Sequence, residues 1–290
     1  MTRLLILLAA GLAAAAQEQS VTVAAVQFRS GFDLEQNRAA IVRTLEKLAS
    51  EGVEGAVFPE CALTGYKTTG DYTETAEAVA AAEESIRLAC KRLKIAAVVG
   101  SIYKTNGKTF NTAIVIDARG ELIERYGKVM LAGEKWATPG NHIAYFELAG
   151  IPSTVIICHD ERYPELVRLP AIQGARLVYY ISHESGMAHE SKLAPYRAQL
   201  MARAVENGVA IVAANAPANV KDNSGSHGQS RIVAADGNVL KEASIYGGEI
   251  LVETLRVKPG RLERPLRELN GEWWRSGVEA MMANRHRRLE

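Results

Sequence analysis

Apolar strand-like runs alternate with amphipathic helical runs along most of this 290-residue chain, and no repeat or low-complexity linker interrupts them. Such an alternation builds a sheet covered by helices, which argues for one α/β domain. Residues 21–28 read as a strand. The spacing of Ile41, Leu45 and Leu48 predicts a helix over 37–50 that leads into a strand at 56–58. An Ala-rich helix over 75–93 feeds a strand at 95–100, and 113–117 and 121–125 flank Ala118-Arg119-Gly120, a hairpin signal. Further along, 177–181 is a strand, 193–207 a helix and 209–214 a strand. Residues 230–234 pair with 239–243 around Asp236-Gly237-Asn238. With 48% hydrophobic residues the chain can bury one large core or two modest ones.

The two ends have a different texture. Met1-Thr2-Arg3 supplies a positive start, 4–13 an apolar segment and Ala14-Ala15-Ala16 a small-residue site before Gln17. That layout predicts a signal peptide over 1–16 and an exported protein, periplasmic or secreted. The segment is short for a permanent membrane span. Residues 17–257 then hold the domain. The extension 258–290 carries Trp273-Trp274 and Met281-Met282, compatible with packing on a partner subunit or on its own domain. Net charge is +1 with acids and bases interspersed, so no basic stripe points to nucleic acid. The basic run Arg285-His286-Arg287-Arg288 reads as a solvated tail. Three cysteines, Cys61, Cys90 and Cys158, make no disulfide framework.

Chemistry concentrates at residues 153–165, where an apolar β-branched run ends at Cys158, a charged turn follows, and Pro164 opens a helix. A thiol there lies near the positive end of a helix dipole, an arrangement expected to favour thiolate. The bland alternative is a small core residue. Two other segments place charge beside an apolar run. Gly55-Ala56-Val57-Phe58-Pro59 exposes Glu60 at its end, and Lys128 sits within 124–131. Alone, Glu60 could cap a turn and Lys128 could snorkel to solvent. Together a carboxylate, an ammonium and a thiol are what amide cleavage through a thioester needs: a proton acceptor, an oxyanion stabiliser and a nucleophile. Cys61, read as lying on a strand, would point away from Glu60 and serve as packing, with no bond to Cys158.

Pro59-Glu60, Lys128 and the run from Ile157 to Glu165 resemble the three signature segments of the carbon-nitrogen hydrolase (nitrilase) superfamily, in their order and separation. Phe110-Asn111-Thr112-Ala113, Trp136-Ala137-Thr138-Pro139-Gly140, Arg203-Ala204-Val205-Glu206-Asn207, Asn215, Gly225-Ser226-His227-Gly228-Gln229-Ser230 and Asp236-Gly237 match as well. Two features depart from the pattern: Gly127 and Val129-Met130 flank the Lys, where the family carries an Arg and an apolar-His pair, and Glu134 stands one residue close to Pro139.

The resemblance implies a single-domain four-layer α-β-β-α sandwich that pairs with a second copy as a homodimer or larger homo-oligomer. It also implies hydrolysis of a linear amide or N-carbamoyl substrate with no cofactor and no metal. Cys158 would attack, Glu60 shuttle protons, Lys128 and the His159 N–H hold the oxyanion, and Glu134 orient the Lys. Tyr66, His159, Arg162, Ser182 and His183 would line the substrate pocket, with Arg162 placed for a substrate carboxylate or for a structural ion pair. His159-Asp160 after the thiol resembles the amidase and carbamoylase branches rather than the nitrilases, which carry Trp-Glu there. Open alternatives are a nitrilase or N-acyltransferase using the same residues, a binding or assembly protein that lost the chemistry, and a Cys-His hydrolase with His142, His183 or His189 as base.

Overall fold

The computed structural model of the chain describes residues 18–184, 193–222 and 225–258. The expected signal peptide, His189 and all of the C-terminal extension after Lys258 lie outside these residues. The first half runs β1 (Gln19–Gln27), α1 (Leu34–Ser50), β2 (Gly55–Val57), α2 (Ala76–Leu93), β3 (Ala96–Thr105), β4 (Lys108–Ile116) and β5 (Leu122–Gly127). The second runs β6 (Phe146–Leu148), β7 (Ile151–Ile157), a 3-10 turn (Cys158–Arg162), α3 (Glu165–Gln173), β8 (Leu177–Ser182) and α4 (Leu193–Asn207). It closes with β9 (Ala210–Asn215), β10 (Arg231–Val233), β11 (Val239–Glu242) and β12 (Glu249–Val257).

Two six-stranded sheets result, in the orders β12-β1-β2-β3-β4-β5 and β11-β10-β9-β8-β7-β6. Side chains alternate across a strand, so β1 sends Val21, Val23 and Ala25 to one face and Ala24 and Val26 to the other. The first set meets Val155, Ile157, Tyr179, Ile181 and Val212 of the second sheet in a core between the sheets. The second set packs under Ile41, Leu45 and Leu48 of α1 and Ala82, Ile86 and Cys90 of α2. On the far side Val178 and Tyr180 pack with Leu166 and Val167 of α3 and Leu200 and Ala204 of α4. The chain is thus the expected single-domain α-β-β-α sandwich. Among the described residues no helix is long and apolar enough to cross a membrane.

Local chemistry sets the element ends. The Asp33 side chain accepts the Gln36 N–H and Thr75 accepts the Ala78 N–H, each satisfying a donor left over at a helix start. The strand expected at 95–100 runs on to Thr105. Asn106 and Gly107, both at positive φ, turn it into a hairpin with β4.

Both sheets have parallel centres, β1-β2-β3 in one and β7-β8-β9 in the other. Ligands of open α/β sheets bind outside the carboxyl ends of such strands. Glu60, Cys158 and His183 follow the carboxyl ends of β2, β7 and β8 respectively.

Candidate active site

Glu60 reaches the site because its segment lies directly on β3. Phe58 N–H donates to the Val98 carbonyl and Leu63 N–H to the Gly100 carbonyl, both at 2.9 Å. A Cβ on Gly100 would stand 2.2 Å from the Pro59 carbonyl oxygen and 2.4 Å from the Cys61 nitrogen, so only glycine permits this approach. Cys61 therefore sits in a turn rather than on a strand, at φ 51. The expectation that strand alternation would point it away from Glu60 rests on the wrong backbone. Cys61, Cys90 and Cys158 are all free thiols.

Lys128 follows the last residue of β5. Its N–H donates to the Asn111 carbonyl and its carbonyl accepts the Gly140 N–H, both at 2.8 Å. A Cβ on Gly140 would meet the Gly127 carbonyl oxygen at 2.1 Å, and one on Gly127 would meet the Gly140 Cα at 3.2 Å. The two glycine backbones cross in contact, leaving no room for a side chain at Gly140 and only a tight fit for a Cβ at Gly127.

Glu60 and Lys128 are each 1% exposed, which rules out capping in water or snorkelling for either. Lys128 Nζ lies 2.9 Å from Glu60 Oε1 and also bonds Glu134 Oε1. Asn111 Nδ2 donates to Glu60 Oε1 at 2.6 Å, and the His183 N–H donates to Glu60 Oε2 at 2.8 Å. The other oxygen of Glu134 accepts the Ala132 N–H, and Tyr66 Oη donates to Glu134 Oε1 at 3.3 Å. The Tyr66 ring stacks on His183 with centroids 4.6 Å apart.

Charge states follow from this packing. Burial pushes Glu60 above the usual carboxylate range, with Lys128 pulling against it and Glu134 adding to it. Burial by itself would lower Lys128, but Cys158 once ionised, with Glu60 and Glu134, outweighs it and raises the ammonium above its ordinary value. Glu134 is lowered: burial opposes this, and Lys128 with the Ala132 N–H overcomes it.

Cys158 terminates β7 at φ 47, a left-handed conformation strained for a side-chain-bearing residue. It is half-buried. Its thiol is raised well above its ordinary value by burial and then by Glu60, with Lys128 acting in the opposite sense and Glu184 and Glu161 adding. The expectation of a dipole-stabilised thiolate is thus overturned. The chain adopts a 3-10 turn at Cys158, and α3 starts only at Glu165, so burial and negative neighbours dominate. The Cys158 sulfur therefore rests as a protonated thiol.

Asp160 anchors the elbow. Fully buried, it accepts the Ile157 N–H at 3.0 Å and the Tyr126 hydroxyl at 2.8 Å on one oxygen, and the Met130 N–H at 2.8 Å on the other. It so ties the segment after Lys128 to the turn that holds Cys158. Arg162 is exposed, with its guanidinium 5.8 Å from the centroid of the Tyr196 ring. Ser182 is fully buried at the end of β8, and among the described residues its hydroxyl has no hydrogen-bond partner. His159 stacks edge-on against Tyr163. His183 is lowered to about 4, chiefly by burial and then by Lys128, so its ring is neutral and weakly basic. His142 bonds Glu124 Oε1 at 3.1 Å.

Glu60, Lys128, Glu134, Tyr66 and His183 thus form one connected group around the Cys158 elbow. Sequence reasoning gave no role to Asn111, Tyr126 or Tyr72. Asn111 was legible in principle, as a polar amide on a strand that is apolar from residue 113 to 116.

The sequence model of carbon-nitrogen hydrolase matches residues 22–258. A 2-oxoglutaramate amidase of Bacillus subtilis (strain 168) is 27% identical over 237 residues, 80% of this chain and 90% of the relative. An amidase from Nesterenkonia sp. superposes with a TM-score of 0.75 at 26% identity, covering 87% of this chain and 96% of that one. A mutant of the Nesterenkonia sp. AN1 amidase, with the acetamide moiety of fluoroacetamide covalently added at its active-site cysteine, has a TM-score of 0.74 at 25% identity. It covers 81% of this chain and 90% of that one.

Proposed function

The chain belongs to the carbon-nitrogen hydrolase family, an enzyme of C–N bonds other than peptide bonds, and we propose that it hydrolyses a linear amide or N-carbamoyl substrate through a thioester on Cys158. The observation that carries this reading is the buried ion pair of Lys128 and Glu60, 2.9 Å apart, beside a protonated thiol. A buried carboxylate raised in pKa takes the thiol proton as sulfur attacks the carbonyl carbon. Negative charge then develops on the carbonyl oxygen, where Lys128 and the His159 N–H stabilise it. Glu60 returns the proton to the leaving nitrogen, the C–N bond breaks, and ammonia or an amine departs. Water attacks the thioester with Glu60 accepting its proton, the acid leaves, and sulfur regains hydrogen.

Glu134 keeps Lys128 charged and aimed, and Tyr66 with His183 forms a stacked wall of the pocket. The covalent cysteine adduct in the Nesterenkonia amidase supports the same chemistry here. His159-Asp160 after the thiol favours amides over nitriles. The low basicity of His183 disfavours a Cys-His mechanism through that ring. The proposal includes export after removal of residues 1–16, and assembly as a homodimer or larger homo-oligomer. Ammonia release should be followed across linear amides, N-carbamoyl amino acids and nitriles, with Cys158→Ala beside the wild type. Release from an amide or carbamoyl compound by wild type alone is expected. Release from nitriles only, or equal release by Cys158→Ala, would overturn the reading.

A further inference from the structure

The donors around Glu60 include one whose orientation is set by a neighbour. Asn111 Nδ2 stands 2.6 Å from Glu60 Oε1, and its Oδ1 stands 3.7 Å from the Cys61 sulfur. An amide can present either its NH2 or its oxygen to a carboxyl group, and the two faces have opposite effects. The NH2 favours the ionised carboxylate, whereas the oxygen favours the protonated acid. Something must choose between them, and the far end of the Asn111 amide meets the Cys61 thiol. Burial pushes that thiol far up, so it keeps its hydrogen and acts as a donor. Tyr72 Oη closes the other side of the sulfur at 3.7 Å and is itself held by the Gly65 carbonyl and the Lys67 N–H, both at 3.1 Å.

We propose that Cys61 and Asn111 form a positioning relay for Glu60, in which the Cys61 S–H donates to Asn111 Oδ1 and thereby turns the amide NH2 onto Glu60 Oε1. The relay rests on the reading of Glu60 as proton acceptor. It explains why a cysteine occupies the left-handed turn beside Glu60: at φ 51, within the tight approach to Gly100, its side chain is turned toward β4 and Asn111. The other titratable groups around Glu60 are Tyr66 on its own segment, Lys128 and Glu134 after β5, Cys158 at the elbow and His183 after β8. Among the described residues none of their side chains bonds the Asn111 side-chain amide, so the relay can be altered without replacing them.

The test is the pH profile of kcat/KM for ammonia release, measured for wild type, Asn111→Leu, Cys61→Ala and Cys61→Ser. Asn111→Leu removes a donor to the carboxylate, and its acidic limb should move up by about one pH unit. Cys61→Ala should move the limb the same way by less, because the amide is then free to turn. Cys61→Ser keeps a hydrogen for Oδ1 and should restore the wild-type limb. Packing alone predicts that Ala and Ser both weaken the protein and that neither moves the limb. An unmoved limb in Cys61→Ala, or a serine variant behaving like alanine, would overturn the relay. If Asn111→Leu does not fold, the alanine and serine pair decides alone. Failure of the relay is separable from failure of the thioester reading, since only the latter predicts that Cys158→Ala retains turnover.

Discussion

Replacing Lys128 with Met should damage both stability and rate, for one reason. The ammonium holds Glu60 Oε1 at 2.9 Å and also bonds Glu134 Oε1, and the three side chains are 0%, 0% and 3% exposed. Met fills nearly the same volume but leaves two carboxylates in a dry site with no cation between them. Breaking a buried ion pair by removing one partner costs about 3–5 kcal/mol. Both carboxylates then rise, since burial and mutual repulsion are opposed only by the remaining hydrogen-bond donors such as Asn111 and the Ala132 N–H. A carboxyl whose folded pKa lies above its unfolded value stabilises the fold at low pH and loses that contribution as pH rises through the folded pKa. The deficit of the variant should therefore widen from acid toward neutral pH. In the wild type Glu134 is lowered instead, so its contribution is present above the ordinary carboxylate range and is lost on acidification. Turnover should fall about 10²–10³-fold from loss of oxyanion stabilisation. Urea unfolding across pH and ammonia release under saturation measure the two effects. A deficit below about 1 kcal/mol that does not change with pH, together with less than about tenfold loss of rate, would refute the reasoning.

Glu60→Gln should lower kcat about 10²–10⁴-fold while leaving the fold intact, checked by steady-state kinetics and circular dichroism. Asp160 is raised from 3.8 to about 6 by burial, so its contribution to stability is full below 3.8 and is lost as pH rises through about 6. Asp160→Asn should flatten the stability profile over that window in urea titrations. Mass spectrometry of protein from the native host should find a mature N-terminus near Gln17, and intact Met1 on cytoplasmic protein would contradict export.

The layers were legible because apolar periodicity reports which face a side chain covers: Ile41, Leu45 and Leu48 mark the buried stripe of α1. The helix over 193–207 is found with those same limits, and Thr75 proved to be the cap of α2 rather than its first residue. Glu60, Lys128 and Cys158 were legible as polar residues set within or at the ends of apolar runs. What the sequence concealed was backbone geometry and burial. Nothing in the residue order announces that Gly127 and Gly140 cross in contact, or that Cys61 leaves the strand path at positive φ. The thiol of Cys158 looked like a candidate for dipole stabilisation only because the 3-10 turn that separates it from α3 could not be read. Of its negative neighbours Glu161 lies three residues along the same turn, whereas Glu60 and Glu184 come from other segments that only the fold brings beside it.

The central claim is a covalent acyl intermediate on Cys158. Wild type, mixed with a linear amide that it hydrolyses, should be quenched in acid during turnover and mapped by peptide mass spectrometry. The account predicts an added acyl mass on the peptide carrying Cys158, removed by hydroxylamine and absent from Cys158→Ala. An unmodified Cys158 peptide alongside undiminished ammonia release from Cys158→Ala would contradict it.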